Sequence, residues 1–159
     1  MLRNFLECLP NVFIVVTLLL RCLGGISTKS EQAPEVAIAM KIGLIADSHI
    51  PEAMPELPSQ VRTVFQDMDL ILHAGDLHCL DVLDWLEETA PVLACRGNGD
   101  EGSGGRAVVP DDPRLHETAV TQCAGYTLGL VHDVLDPNEY PQWPIQRTMD
   151  QYFDRRSDI

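Results

Sequence analysis

The sequence predicts an α/β fold with parallel strand pairing, and its apolar runs, their spacing and their endings carry that prediction. Ile42 to Ala46, Leu70 to His73 and Val92 to Arg96 are short, continuous apolar segments, the pattern of strands buried on both faces. Helical patterns fill the intervals between them, so strand and helix alternate as parallel pairing requires. Each run also breaks into loop-forming residues: Asp47-Ser48-His49, Ala74-Gly75-Asp76 and Gly97-Asn98-Gly99-Asp100.

Residues 1–39 carry none of these signals. Val12 to Leu20 is an apolar run with Arg3 ahead of it and Gly24, Gly25 and Ser27 behind it, which is the shape of a signal peptide. It falls well short of the roughly 20 apolar residues that span a bilayer as a helix, so stable membrane insertion is not expected. Met40-Lys41-Ile42-Gly43 opens directly into the first strand and is an alternative start. Lys29 to Pro34 reads as linker. The expectation is an N-terminal extension over 1–39 and a partial domain over 40–159, cytoplasmic, or exported if residues 1–27 act as a signal.

Within the domain, Val61, Val64, Phe65 and Met68 fall at helical spacing after Pro58-Ser59 and are expected to form one apolar face. Leu80, Leu83 and Leu86 mark a second helix after the second strand. Thr118 to Gln122 and Tyr126 to Val131 flank Ala124-Gly125 as a β-hairpin. Ile145, Met149, Tyr152 and Phe153 form one face of a final helix.

Composition limits the partners. Hydrophobic residues at 45% and charged residues at 22% are globular usage. The net charge of −13 lies entirely from Met40 onward, because Arg3, Arg21 and Lys29 balance Glu7, Glu31 and Glu35 before it. Such a surface repels polyanions, so no nucleic acid is expected, while a small phosphate ester remains compatible. Cys8, Cys22, Cys79, Cys95 and Cys123 show no paired spacing and read as reduced thiols in a reducing compartment.

The chemistry sits at the strand ends. Asp47 and His49, Asp76, Asn98, and His132 each follow a separate predicted strand, where open α/β sheets place their ligands. Oxygen and imidazole donors without thiolates suit Mn²⁺, Fe, Zn²⁺ or Mg²⁺.

Asp47-Ser48-His49, Gly75-Asp76, Gly97-Asn98-Gly99-Asp100 and His132, in that order, resemble the calcineurin-like metallophosphoesterases. Within them the chain most resembles the small bacterial and archaeal phosphodiesterases related to the retromer scaffold subunit. The resemblance implies an αββα sandwich in which Asp47 and His49 hold a first metal, Asp76 bridges, and Asn98 and His132 hold a second. It implies two divalent cations, manganese first, with iron, zinc, nickel or magnesium also suited. A small phosphate ester would be hydrolysed by a hydroxide that the two metals activate, with no protein nucleophile. The alternatives are a non-catalytic metal-binding interaction module of the same fold, or an inactive fragment.

Three departures qualify the resemblance. The family's later Gly-His-x-His motif does not occur before Ile159, so the sandwich is expected to be incomplete at its C-terminus, poorly active, and left with an unpaired strand edge open to homo-oligomerisation. Gly99 stands where many relatives carry a histidine that assists the leaving group. Asp133 follows His132 where glycine is usual. Of the remaining candidates, His73 reads as a hydrogen-bonded core residue and His116 as solvated, while an outer-sphere role for His78 is an alternative that the sequence does not favour. Arg96 reads either as a phosphate contact or as a partner of Asp100.

Overall fold

Parallel strands buried on both faces need cover from two sides, and that requirement organises the molecule. The computed structural model describes residues 3–4, 16–21, 39–123, 126–133 and 150–153. One sheet follows the order β1 (Arg3–Asn4), β2 (Val16–Arg21), β3 (Ala39–Ile45), β4 (Leu70–His73), β5 (Val92–Cys95) and β6 (Leu115–His116). β3 to β6 pair in parallel, whereas β1 and β2 add antiparallel beside β3. Helices α1 (Ser59–Phe65) and α2 (Asp81–Glu87) lie between successive parallel strands in the chain. A second sheet consists of β7 (Ala119–Cys123) and β8 (Tyr126–Leu130), paired antiparallel as the hairpin pattern predicts. The Ala124-Gly125 turn lies outside the described residues.

Alternation along the strands divides the core in two. Ile45, Ile71, Ala94 and Leu115 join Val61, Phe65, Val82, Leu83 and Leu86 of the helices in one apolar cluster. Ile42, Leu72 and Cys95 join Ala119, Cys123 and Leu130 of the hairpin in another. Helices, main sheet and second sheet therefore form three layers. Residues 150–153 are helical, and the Phe153 ring lies against Gly129 of β8, which begins a fourth layer. Ile145 and Met149 lie outside the described residues.

Two helix and strand expectations need correction. Val64 is 43% exposed, because α1 is a short helix whose buried side is set by Val61 and Phe65, leaving Val64 on its flank. β6 was not expected at all. Its two residues are too few to show a period. Arg114 fixes them from the side, pairing with Asp112 at 2.8 Å, Asp84 at 2.8 Å and Glu87 at 2.7 Å, which ties β6 to α2. His116 within β6 is exposed, in line with its reading as a solvated residue.

Part of the signal-like run is a strand: Val16 to Leu20 pair with Leu44 to Met40 of β3. Among the described residues no helix is long and apolar enough to cross a membrane. Cys79, Cys95 and Cys123 are free, and Cys95 and Cys123 are buried. Burial pushes the Cys95 thiol up to about 12. Cys8 and Cys22 lie outside the described residues.

Candidate metal centre

The loops leaving β3 and β4 continue the sheet's hydrogen bonding after the strands end. The Asp47 N–H donates to the Gly75 carbonyl at 3.0 Å, His49 N–H to the Asp76 carbonyl at 3.0 Å, and Ile50 N–H to the Leu77 carbonyl at 3.1 Å. Along these stitched segments Asp47, His49, Asp76 and His78 have positive φ of 55°, 46°, 57° and 69°. Non-glycine residues rarely adopt that conformation, and where the surroundings enforce it the strain marks functional loops.

At Asp76 and His78 the main chain is held by Asp100. Its fully buried carboxylate accepts the N–H of Asp76 at 2.9 Å, of Gly97 at 2.8 Å and of His78 at 2.8 Å. It thereby clamps the β4 loop to the β5 loop. The sequence placed Asp100 in a turn but gave no signal of this role, since two of its three partners lie in another loop. Arg96 is not its partner in this structure. Its guanidinium donates to the Val109 and Pro110 carbonyls at 2.8 and 3.2 Å and to Asp111 at 3.1 Å.

Asp76 lies at the centre. One carboxylate oxygen is 3.1 Å from His49 Nε2; the other accepts the Gly99 N–H at 2.8 Å and lies 3.7 Å from His132 Nε2. Burial pushes this carboxyl up, but the Gly99 N–H and the neighbouring His132 and His49 outweigh burial and hold it below its ordinary value. Asp47 Oδ1 lies 3.5 Å from His49 Nε2.

The imidazoles are oriented by their second nitrogens. His132 Nδ1–H donates to the Ala74 carbonyl at 2.7 Å, which turns Nε2 toward Asp76. Gly75, at φ 93°, makes room for that ring, because a Cβ there would meet His132 Nδ1 at 2.6 Å. His73 is different: its Nδ1 accepts the Gly75 N–H at 3.2 Å, so its Nε2–H donates to Ser48 Oγ at 3.0 Å. Burial pushes it down to about 3, and it is the satisfied core histidine that the sequence suggests. His78 stacks on His49 with centroids 4.6 Å apart and pairs through Nδ1 with Glu52 at 2.9 Å.

Two groups of donors result, each with ligand atoms within 4.8 Å of one another: Asp47, Asp76 and His132, and His49, Asp76 and His78. Asp76 belongs to both. Of the five expected ligands, Asp47, His49, Asp76 and His132 converge; Asn98 lies on the adjoining β5 loop and is exposed. His78 and Glu52 join the cluster although neither was expected to hold a ligand position. Nothing in the sequence marked Glu52, while His78 was recognisable only by standing two residues after Asp76. Clustered carboxylates and imidazoles, one of them with a buried and unpartnered nitrogen (His78 Nε2), fit a cation better than they fit one another.

The calcineurin-like phosphoesterase superfamily domain is matched over residues 40–158. A probable metallophosphoesterase of Methanothermobacter thermautotrophicus is 39% identical over 98 residues, 62% of this chain and 52% of that protein. A probable metallophosphoesterase of Methanocaldococcus jannaschii is 43% identical over 61 residues, 38% of this chain and 32% of that protein. The chain thus spans at most about half the length of these curated relatives. Among solved structures, vacuolar protein sorting 29 of Cryptosporidium parvum superposes with a TM-score of 0.51 at 26% identity, covering 69% of this chain and 59% of that one. Vacuolar protein sorting 29 of Chaetomium thermophilum gives 0.52 at 17% identity, over 71% and 54%, a likeness of fold alone.

Proposed function

The chain belongs to the calcineurin-like phosphoesterase superfamily, and from that premise we propose that it hydrolyses a small phosphodiester, using two divalent cations held by Asp47, His49, Asp76, Asn98 and His132. The observation that carries the proposal is the position of Asp76, whose two carboxylate oxygens face His49 and His132 respectively. A residue that serves two donor groups at once is suited to bridge two ions. Bound there, such ions supply positive charge for the phosphoryl oxygens and bring the ionisation of water toward neutral pH. The chain's own contribution is placement. Asp100 fixes the main chain on both sides of the centre, and the Ala74 carbonyl fixes the tautomer of His132. Charges held in position before the substrate arrives are what electrostatic catalysis requires.

The acidity of the chain favours a small ester over a nucleic acid, since only the centre itself would attract an anion. The same reading puts the phosphoesterase domain at 40–159. Buried free thiols at Cys95 and Cys123 support a cytoplasmic setting. Manganese is the first cation to test. The experiment is hydrolysis of a chromogenic phosphodiester by the full chain with Mn²⁺, alongside Asp76→Asn. Metal-dependent turnover that disappears in the variant is expected; turnover equal in both would refute the reading. A second reading, a metal-binding interaction module without catalysis, is favoured by the likeness to vacuolar protein sorting 29 at 26% identity. It predicts Mn²⁺ binding with no turnover.

A further inference from the structure

We propose that His78 is a further metal ligand of this centre, presenting Nε2 to the cation that His49 and Asp76 face. The inference rests on the phosphoesterase reading for the presence of a cation, but its support is the histidine's own surroundings. Its side chain is 3% exposed, and its Nδ1 lies 2.9 Å from Glu52 Oε2. A carboxylate only accepts, so Nδ1 carries the proton and Nε2 of the neutral ring is left with a lone pair. That nitrogen is buried and has no hydrogen-bond partner. Buried polar atoms almost always find one, and a cation is a partner that a lone pair can take.

The placement is built from several directions. Asp100 holds the His78 N–H at 2.8 Å while the backbone sits at φ 69°. The ring lies nearly parallel to that of His49, with 12° between the planes. Gly99 keeps the space open: a Cβ there would fall against His78 Nε2 and 3.0 Å from Asp76 Oδ1. The unpartnered nitrogen therefore shares one small space with the central carboxylate. Glu52 is in turn approached by Arg106 at 3.5 Å, and its pairing with His78 holds its carboxyl below the ordinary value. A carboxylate on the far nitrogen is the usual support of a metal-bound histidine, since it fixes the tautomer and the ring direction.

The test is calorimetric titration of the metal-stripped full chain with Zn²⁺. His78→Phe keeps the stack on His49 and removes the nitrogen; it is expected to weaken one binding event by at least about tenfold. Zn²⁺ binding in His78→Phe as tight as in the parent overturns the assignment and leaves the phosphoesterase reading intact. No Zn²⁺ binding by the parent overturns both. A measurement on the unsubstituted chain removes any dependence on the variant's folding. In ¹⁵N-resolved spectra of the histidine rings, saturating Zn²⁺ is expected to move the His78 Nε2 resonance together with those of His49 and His132. A His78 ring that stays unchanged while the other two move overturns the proposal.

Discussion

The carboxylate of Asp100 holds the main chain of Asp76, accepting its N–H at 2.9 Å from the next loop of the sheet. The same carboxylate also takes the N–H groups of Gly97 and His78. Removing it leaves the buried N–H groups of Asp76 and Gly97 and the part-buried N–H of His78 without their acceptor. Asp100→Ala is therefore expected to destabilise the fold by about 3 kcal/mol or more, since each unsatisfied buried donor costs on the order of 1–3 kcal/mol and the costs overlap. Urea denaturation of the metal-stripped protein measures this. A loss under about 1 kcal/mol would mean that the clamp contributes little.

Asp76→Asn separates charge from hydrogen bonding. The amide oxygen can still accept the Gly99 N–H, so the loop should keep its shape, while the charge shared by the two donor groups is gone. Metal affinity is expected to fall by at least about a hundredfold. In the metal-stripped state the parent should still be the more stable near neutral pH. The folded Asp76 carboxyl lies below its unfolded value of 3.8, so its contribution is present above that value and fades as pH falls through the folded one. Melting temperatures of both forms from pH 7 to pH 3 test the sign.

His73 makes the acid limb of stability steeper. Burial pushes its imidazole from 6.5 down to about 3. Between those values the unfolded chain takes up a proton that the folded chain does not, so stability falls as pH falls, by up to about 1.4 kcal/mol per pH unit from this one group. His73→Gln should lose that slope between pH 6.5 and pH 3, although its stability at pH 7 will also drop. Unfolding midpoints in urea across the window, compared with the parent, are the measurement; parallel curves would refute the assignment.

Gly75→Ala perturbs His132 without substituting it. At φ 93° an L side chain is strained by roughly 1–2 kcal/mol, and its Cβ would meet the His132 ring at 2.6 Å. The substitution is expected to cost about 2 kcal/mol or more and to push Nε2 away from Asp76. Zn²⁺ titration should show weaker binding; unchanged affinity would place His132 outside the ligand set.

The sequence made the repeating part of this fold legible because burial on both faces writes itself as unbroken apolar runs, at Leu70 to His73 for example. It also drew attention to Asp47, His49, Asp76 and His132, which the structure brings together, since residues at strand ends follow immediately on those runs. Asp100 could not be assigned its task, because its hydrogen bonds to Asp76 and His78 join residues more than twenty positions apart with no period between them. His78 and Glu52 meet only after two loops fold over each other. β6 was invisible for want of length. Val12 to Leu20 shows the opposite limit: an apolar run reads alike as a signal segment and as a strand, and the pairing of Val16–Arg21 with β3 is not written in its composition.

The hydrogen bonds that run on from β3 and β4 to Ile50 and Leu77 have a consequence for how this protein can diverge. Loops at the ends of strands ordinarily absorb insertions and deletions with little harm. Here the segments 46–50 and 74–78 are in register with each other, so one added or lost residue would carry Asp47 and His49 past Asp76. A change of length inside either segment is therefore expected to be more damaging than a substitution. Changes of length should be better tolerated beyond Ile50 and Leu77, past the last of these bonds.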